Sequence, residues 1–311
     1  MKSKISRLLS FVLALAMVLS ITGGFMDAQS VYAKSKKKKT APDPVTVYVT
    51  ITDNTGKSVC TQSQIEVTDA DGDGVLTIND ALYLAHEKKY KGGAAAGYEY
   101  EDAAIYGFTG YSLKKLWGIE NGGSYGYYKN SVAAMSLADP VEDGDFVDAY
   151  CYQDLKKWSD KYTFFNVRAI EVHRNEEFTL KLRYVAYNDD GAYAAKVKNA
   201  VILDNGEETE FKVNKRGNVK LSFSVLGKHY VSAASTRKKS VLVPPGCVVF
   251  VLPNKGNLIT PDKTTGIKYK VIVSGSVMNN EMGEVEVYEN KNNADVPETV
   301  EFGSVTYKVI K

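Results

Sequence analysis

Apolar and polar residues alternate through Val45-Thr46-Val47-Tyr48-Val49-Thr50-Ile51, through 63–67 and again through 145–152, a period of two that predicts strands. Between the second and third of these runs the period changes. Ile78, Ala81, Leu82 and Ala85 recur at helical spacing, so one helix with one apolar stripe is expected there. Pro140-Val141-Glu142-Asp143-Gly144-Asp145 carries a turn signal ahead of the last strand. A helix packed on a small mixed sheet is the simplest arrangement that buries the stripe.

From about residue 166 the pattern is different. Phe178, Leu180, Leu182 and Tyr184 alternate with Thr179, Lys181 and Arg183, and Val219, Leu221, Phe223 and Val225 alternate with Lys220, Ser222 and Ser224. Turn sequences at 188–191, 204–206 and 215–218 separate such runs. Strands at this spacing without long helices predict a β-sandwich over 166–253. Residues 254–265 read as a linker, and the strand patterns at 269–273, 284–288 and 304–309 make a small β module of 266–311. The expected fold class is therefore mainly β with a small α+β part, the first domain spanning 45–165.

The loop Asp69-Ala70-Asp71-Gly72-Asp73-Gly74-Val75-Leu76-Thr77-Ile78-Asn79-Asp80 carries the most specific chemistry. In a twelve-residue calcium loop, side chains one, three and five point inward and a backbone carbonyl comes from position seven. Position nine works through water, position twelve closes the site, and Gly at six permits the turn. Asp69, Asp71, Asp73, Val75, Thr77 and Asp80 fill those roles in order. Asp80 stands where the longer Glu is usual, which lowers the expected affinity. A structural Ca2+ bracing the helix entry is expected, and a metal-free turn rich in Asp and Gly is the alternative.

These residues carry several family resemblances. The carboxylate spacing resembles the half-loops of bacterial dockerins. Residues 45–153 resemble the β-grasp domain that forms the C-terminal part of transcobalamin and intrinsic factor and recurs in secreted bacterial proteins. The resemblance is carried by the opening strand 45–51, Thr77-Ile78-Asn79-Asp80-Ala81-Leu82, the segment 122–130 and the turn 140–145. Tyr125 stands where the family usually has Trp, and Lys129 is an insert. The resemblance implies a β-grasp fold and, as a weaker option, a corrinoid ligand. Residues 166–253 resemble the immunoglobulin-like modules of bacterial surface proteins. The tail is similar to short β units that begin leucine-rich surface repeats.

Lys2, Lys4 and Arg7 precede a mostly apolar run from 8 to 20, and Val31-Tyr32-Ala33 offers small residues for cleavage, the layout of a secretory signal peptide over 1–33. The apolar run is short for a membrane span, so a cleaved signal and a secreted or cell-surface location are expected, with no transmembrane helix left after cleavage. N-terminal sequencing of exported material should begin at Lys34. Intact Met1 in the membrane fraction would indicate an anchor instead. Removing 1–33 changes 39 basic against 37 acidic residues into 36 against 36. The Lys-rich linker 34–44 reads as solvated, with weak attraction to an anionic wall or membrane surface as its functional reading. Nucleic acid is not an expected partner. Cys60, Cys151 and Cys247 are too few for a disulfide scaffold. Cys60 and Cys151 share a domain and are a candidate pair, with inert buried thiols as the alternative.

His86, His173 and His229 are distributed singly, and His86 is expected to be exposed on the helix beside Glu87 and Lys88. Glu101 with Asp102 and Asp143 with Asp145 read as solvent-exposed and turn carboxylates, so no catalysis is expected. The Gly- and Tyr-rich segment is the ligand-binding candidate, through Tyr125, Tyr127, Tyr128, Lys129 and Trp117, for an extracellular glycan, peptide or corrinoid. Tyr125 and Tyr127 are expected on one face and Tyr128 on the other. The function expected is non-enzymatic: a calcium-braced β-grasp domain for ligand binding or adhesion, with β spacer modules. A purely structural surface spacer is the alternative.

Overall fold

The computed structural model describes residues 41–103, 109–237 and 241–310. The expected signal peptide, its cleavage site and the lysine run lie outside them. Strands β1 (Val45–Thr52) and β2 (Ser58–Val67) form a hairpin, followed by helices α1 (Ile78–Lys89) and α2 (Gly93–Gly97). Strands β3 (Glu99–Asp102) and β4 (Tyr111–Lys115) pair separately, and β5 (Tyr125–Lys129), β6 (Val132–Ala133) and β7 (Phe146–Cys151) complete the first sheet. Its order is β2-β1-β7-β5-β6, with β1 and β7 parallel at the centre. Two hairpins flanking a central parallel pair, with a helix across one face, is the β-grasp arrangement.

Helix α1 begins where it does because Thr77 and Asp80 form a capping box: each accepts a backbone N–H of the other. Its stripe of Ile78, Ala81, Leu82 and Ala85 packs on Val47, Val49 and Ile51 of β1 and Val147, Ala149 and Cys151 of β7. Strand alternation sends the intervening residues to the opposite face. There Thr50, Thr52, Asp148 and Tyr150 are also buried, so both faces of the central pair are covered.

The second cover is the sandwich. One layer runs β11 (Gly191–Lys196), β10 (Phe178–Asn188), β8 (Lys161–Phe165), β16 (Leu242–Val243), with β14 (Asn218–Leu221) also on β10. The other runs β13 (Glu207–Lys212), β12 (Ala200–Asp204), β15 (Gly227–Ser235), β17 (Cys247–Leu252), β9 (Ala169–His173). Leu180, Leu182 and Leu221 meet Ile202, Val231 and Val249 between the layers. The domain division expected at 165 moves: β8 pairs with β10, so 161–165 is a sandwich strand. Val225, expected on the buried face, is 66% exposed because β14 ends at Leu221.

At the junction, Tyr128 of β5 stacks on Tyr162 of β8 with ring centroids 3.6 Å apart, and Tyr150 and Val243 complete this small core. Beside it the Arg168 guanidinium lies 2.6 Å from Asp148 Oδ2 and also donates to Ser131 and to the Tyr162 hydroxyl. Tyr162 in turn donates to Asp148 at 2.5 Å. Gln62 Nε2 donates to the Gly246 carbonyl across the same boundary. The first two modules are thus joined by a buried core and an ionic network.

Strands β18 (Leu258–Ile259), β19 (Lys268–Val273), β20 (Gly283–Glu289), β22 (Val305–Ile310) and β21 (Thr299–Phe302) form the last sheet in that order. Residues 254–265 are therefore more than a linker, since Ile259 is buried in this module's core. Leu252 of β17 belongs to the same core, and Ser274 donates to the Pro253 carbonyl.

Candidate metal centre

The carboxylates of Asp69, Asp71 and Asp73, between β2 and α1, offer oxygens that all lie within 4.8 Å of one another. The backbone produces this clustering. Asp69 Oδ1 accepts from the Gly72 N–H and Oδ2 from the Gly74 N–H, both at 2.9 Å. Asp71 accepts from the Asp73 N–H, and Asp73 from the Val75 N–H. Gly74 closes the turn at φ +86°, left-handed space that a side chain disfavours. Burial and then the charges of Asp80 and Asp73 push the Asp71 carboxyl above its usual range. A hard cation would relieve this repulsion, and three carboxylates in a tight turn suit the oxygen preference of Ca2+.

Position twelve departs from the expected ligand set. Asp80 is fully buried, with Oδ1 accepting from the Ala70 N–H and Oδ2 from the N–H and hydroxyl of Thr77. Asp80 and Thr77 thus cap the helix, and the carboxylate group at the turn is the first three Asp residues. The Val75 side chain faces solvent. Asn79, not among the expected loop ligands, also holds the loop. Its Nδ2 donates to Asp71 Oδ2 at 3.2 Å and its Oδ1 accepts from the buried Tyr98 hydroxyl at 2.8 Å, tying the loop to the core. A polar residue one position into an apolar stripe was the available signal.

The aromatic segment is packed into the domain. Tyr125 and Tyr127 lie against the helix-side core and Tyr128 lies on the sandwich side, the expected division of faces. The Tyr125 hydroxyl accepts from the Asn121 N–H at 2.7 Å and sits 2.8 Å from the Ile119 carbonyl, and burial pushes its pKa up to about 12. Lys129 donates to the Pro140 carbonyl at 2.8 Å. Gly126, expected to let the backbone approach a ligand, instead admits the Tyr150 ring: a Cβ there would lie 2.3 Å from that ring.

Trp117 leads to a correction at His86. The ring of Trp117 lies 5.0 Å from the imidazole and 5.2 Å from Tyr90, and its backbone takes φ +53°. His86, expected on the surface, is fully buried. It follows Leu82 by four residues, so it flanks the apolar stripe, and the turn after β4 covers that flank. Its Nδ1 lies 2.6 Å from the Leu82 carbonyl, and its Nε2 accepts the Trp117 N–H at 2.9 Å. Burial lowers its pKa to about 4. His229 is also buried, between Asp204 and the Val225 carbonyl.

The cysteines do not pair. All three are buried and free, and burial raises the pKa of each, to about 12 for Cys151 and Cys247. Asp143 and Asp145 bracket a turn at Gly144. Asp143 accepts from the Thr46 N–H, and Asp145 from Asn130 and the Glu142 N–H. Among the described residues no helix is long and apolar enough to cross a membrane.

No family model matches this chain, and no curated protein matches it. Among solved structures it is similar to the fibronectin(III)-like modules of Clostridium thermocellum CbhA, at 11% identity and a TM-score of 0.24, over 42% of this chain and 77% of that one. A likeness of that size carries no argument.

Proposed function

We propose that this chain is a non-enzymatic secreted or cell-surface protein in which a calcium-braced β-grasp domain is held rigidly on a β-sandwich and a small β module. The clustered carboxylates of Asp69, Asp71 and Asp73 support the calcium reading most directly. The central parallel pair of the first sheet supports the resemblance to transcobalamin-type β-grasp domains at the level of fold. The buried junction supports a spacer that transmits orientation, since side chains from both modules share one core. The interior histidines support a non-catalytic role: each is held by hydrogen bonds that fix its ring within a core. The Lys-rich segment 34–39 would add weak attraction to an anionic surface.

Calcium is expected to raise the melting temperature of the full chain, because a ligand that binds only the folded state stabilises it in proportion to the logarithm of its concentration over Kd. At about 100 times Kd the gain is about 2.7 kcal/mol. The full chain is the right material, since β8 and the Tyr128–Tyr162 stack would be lost from a fragment ending before 161. Asp71→Ala with Asp73→Ala should abolish the response while leaving a cooperative melt. An unchanged midpoint at millimolar calcium in the wild type would remove the metal assignment.

A further inference from the structure

All three modules contribute to a groove of about 720 Å³, which exists only in the assembled chain. Its floor includes Tyr48 and Phe146, register partners on β1 and β7 whose rings stack at 4.9 Å. They mark where the sandwich-facing side of the β-grasp sheet, buried at Thr50, Asp148 and Tyr150, opens toward solvent. Phe250 of β17 contributes from the sandwich, and 277–278 from the last module.

Two properties define what the groove would accept. The first is charge: among the described residues Lys88, Lys89 and Lys228 line it and no Asp or Glu does. Among the described residues none of the three lysines has a carboxylate oxygen within 4.0 Å, whereas Lys114, Lys268 and Lys270 on other strands do. Ammonium groups gathered in a concavity raise the local concentration of anions. The second is backbone. Residues 61–64 belong to β2, the end strand of its sheet among the described residues, whose ladder to β1 is interrupted by a bulge at Thr61 and Gln62, where the Gln62 N–H turns to Thr50 Oγ1. Ala169, also lining the groove, belongs to β9, the end strand of its sandwich layer among the described residues. End strands present unpaired N–H and C=O groups to an extended chain, and pockets beside them select its alternate side chains. Lys88 already donates to the Gln64 carbonyl on this edge, placing one cation at the edge itself.

We propose that this groove binds an acidic peptide segment in extended conformation, laid along β2 with carboxylates toward the lysines and apolar side chains toward Tyr48, Phe146 and Phe250. The volume lies within the range of about 300–1,000 Å³ usual for ligand sites. The edge of β2 is what favours a peptide over an acidic glycan, since an extended main chain matches the spacing of a strand edge. This site is separate from the calcium loop and does not rest on its occupancy.

The test uses the full chain and a labelled peptide of alternating Glu and Val, titrated by fluorescence anisotropy, with amide hydrogen exchange followed at 61–64. Binding with slowed exchange on β2 is expected. Lys89→Glu with Lys228→Glu should weaken it about ten-fold or more, and Lys181→Glu with Lys212→Glu, on β10 and on the far edge strand β13, should change it less than two-fold. If the reversed groove pair melts below wild type, the Lys89→Gln, Lys228→Gln pair takes its place. Failure to bind at millimolar peptide, equal losses for both lysine pairs, or unchanged exchange at 61–64 would each overturn the assignment. So would tighter binding of polygalacturonate, which would make the groove a glycan site.

Discussion

Replacing Arg168 by Ala is expected to destabilise the folded chain by about 3–5 kcal/mol, the range found when one partner of a buried ion pair is removed. The cost comes from what remains. Asp148 sits on the inner face of β7, 7% exposed, with the guanidinium as its cationic partner. Burial opposes the charge on Arg168, but the Asp148 carboxylate and the Tyr162 hydroxyl hold its proton more firmly than usual. Tyr162, its own pKa raised by burial and then by Asp148, keeps the proton it donates to that carboxylate. Truncating Arg168 leaves the Asp148 carboxyl buried without its cationic partner, with the Tyr162 hydroxyl still donating to it. Urea unfolding of the wild type and Arg168→Ala measures the loss. Replacing the network by apolar groups, with Asp148→Leu, Arg168→Met and Tyr162→Phe together, should recover most of it, because no buried charge is left unpaired. A single mutant within about 0.5 kcal/mol of wild type would show that the junction contributes little and that the modules fold independently.

Acidification is expected to act strongly through His86. The unfolded histidine takes up a proton near 6.5, but the folded one only near 4. Between those values the unfolded chain binds more protons, so stability falls as pH falls. The contribution is complete above about 6.5 and is lost by about 1.4 kcal/mol per pH unit toward 4, about 3 kcal/mol in all. The geometry explains the direction. Protonating Nε2 would turn the acceptor of the Trp117 N–H into a second donor, in a site with no water exposure. Unfolding free energies at several pH values should show a slope between 4.5 and 6 that is shallower in His86→Gln by about that amount per unit. Parallel curves for the two proteins would rule out His86 as the source.

Much of the architecture was legible along the chain because period-two alternation is set by the strand itself. Val47, Val49 and Ile51 against Tyr48, Thr50 and Thr52 identified β1, and Thr77 with Asp80 marked the helix start. The carboxylate spacing of 69, 71 and 73 was equally local: turn geometry at Gly72 and Gly74 brings these side chains together whatever the rest of the chain does. Alternation, however, says only that two faces differ. The face carrying Thr50, Asp148 and Tyr150 is buried against β8, from residues expected in the first domain, and against Arg168, from residues expected in the second. The same limit applies to His86, whose flank of the helix is covered by a turn 31 residues away. It applies also to the aromatic segment, where Tyr125, Tyr128 and Gly126 serve internal contacts with Lys114, Tyr162 and Tyr150. The sequence by itself determined the clearly alternating strands, helix α1 and the acidic turn, because each depends on residues within one turn or one pleat. Only the tertiary structure decided which polar groups are buried, where one module ends, and where a lysine-lined groove opens, because those depend on surfaces brought together from distant parts of the chain.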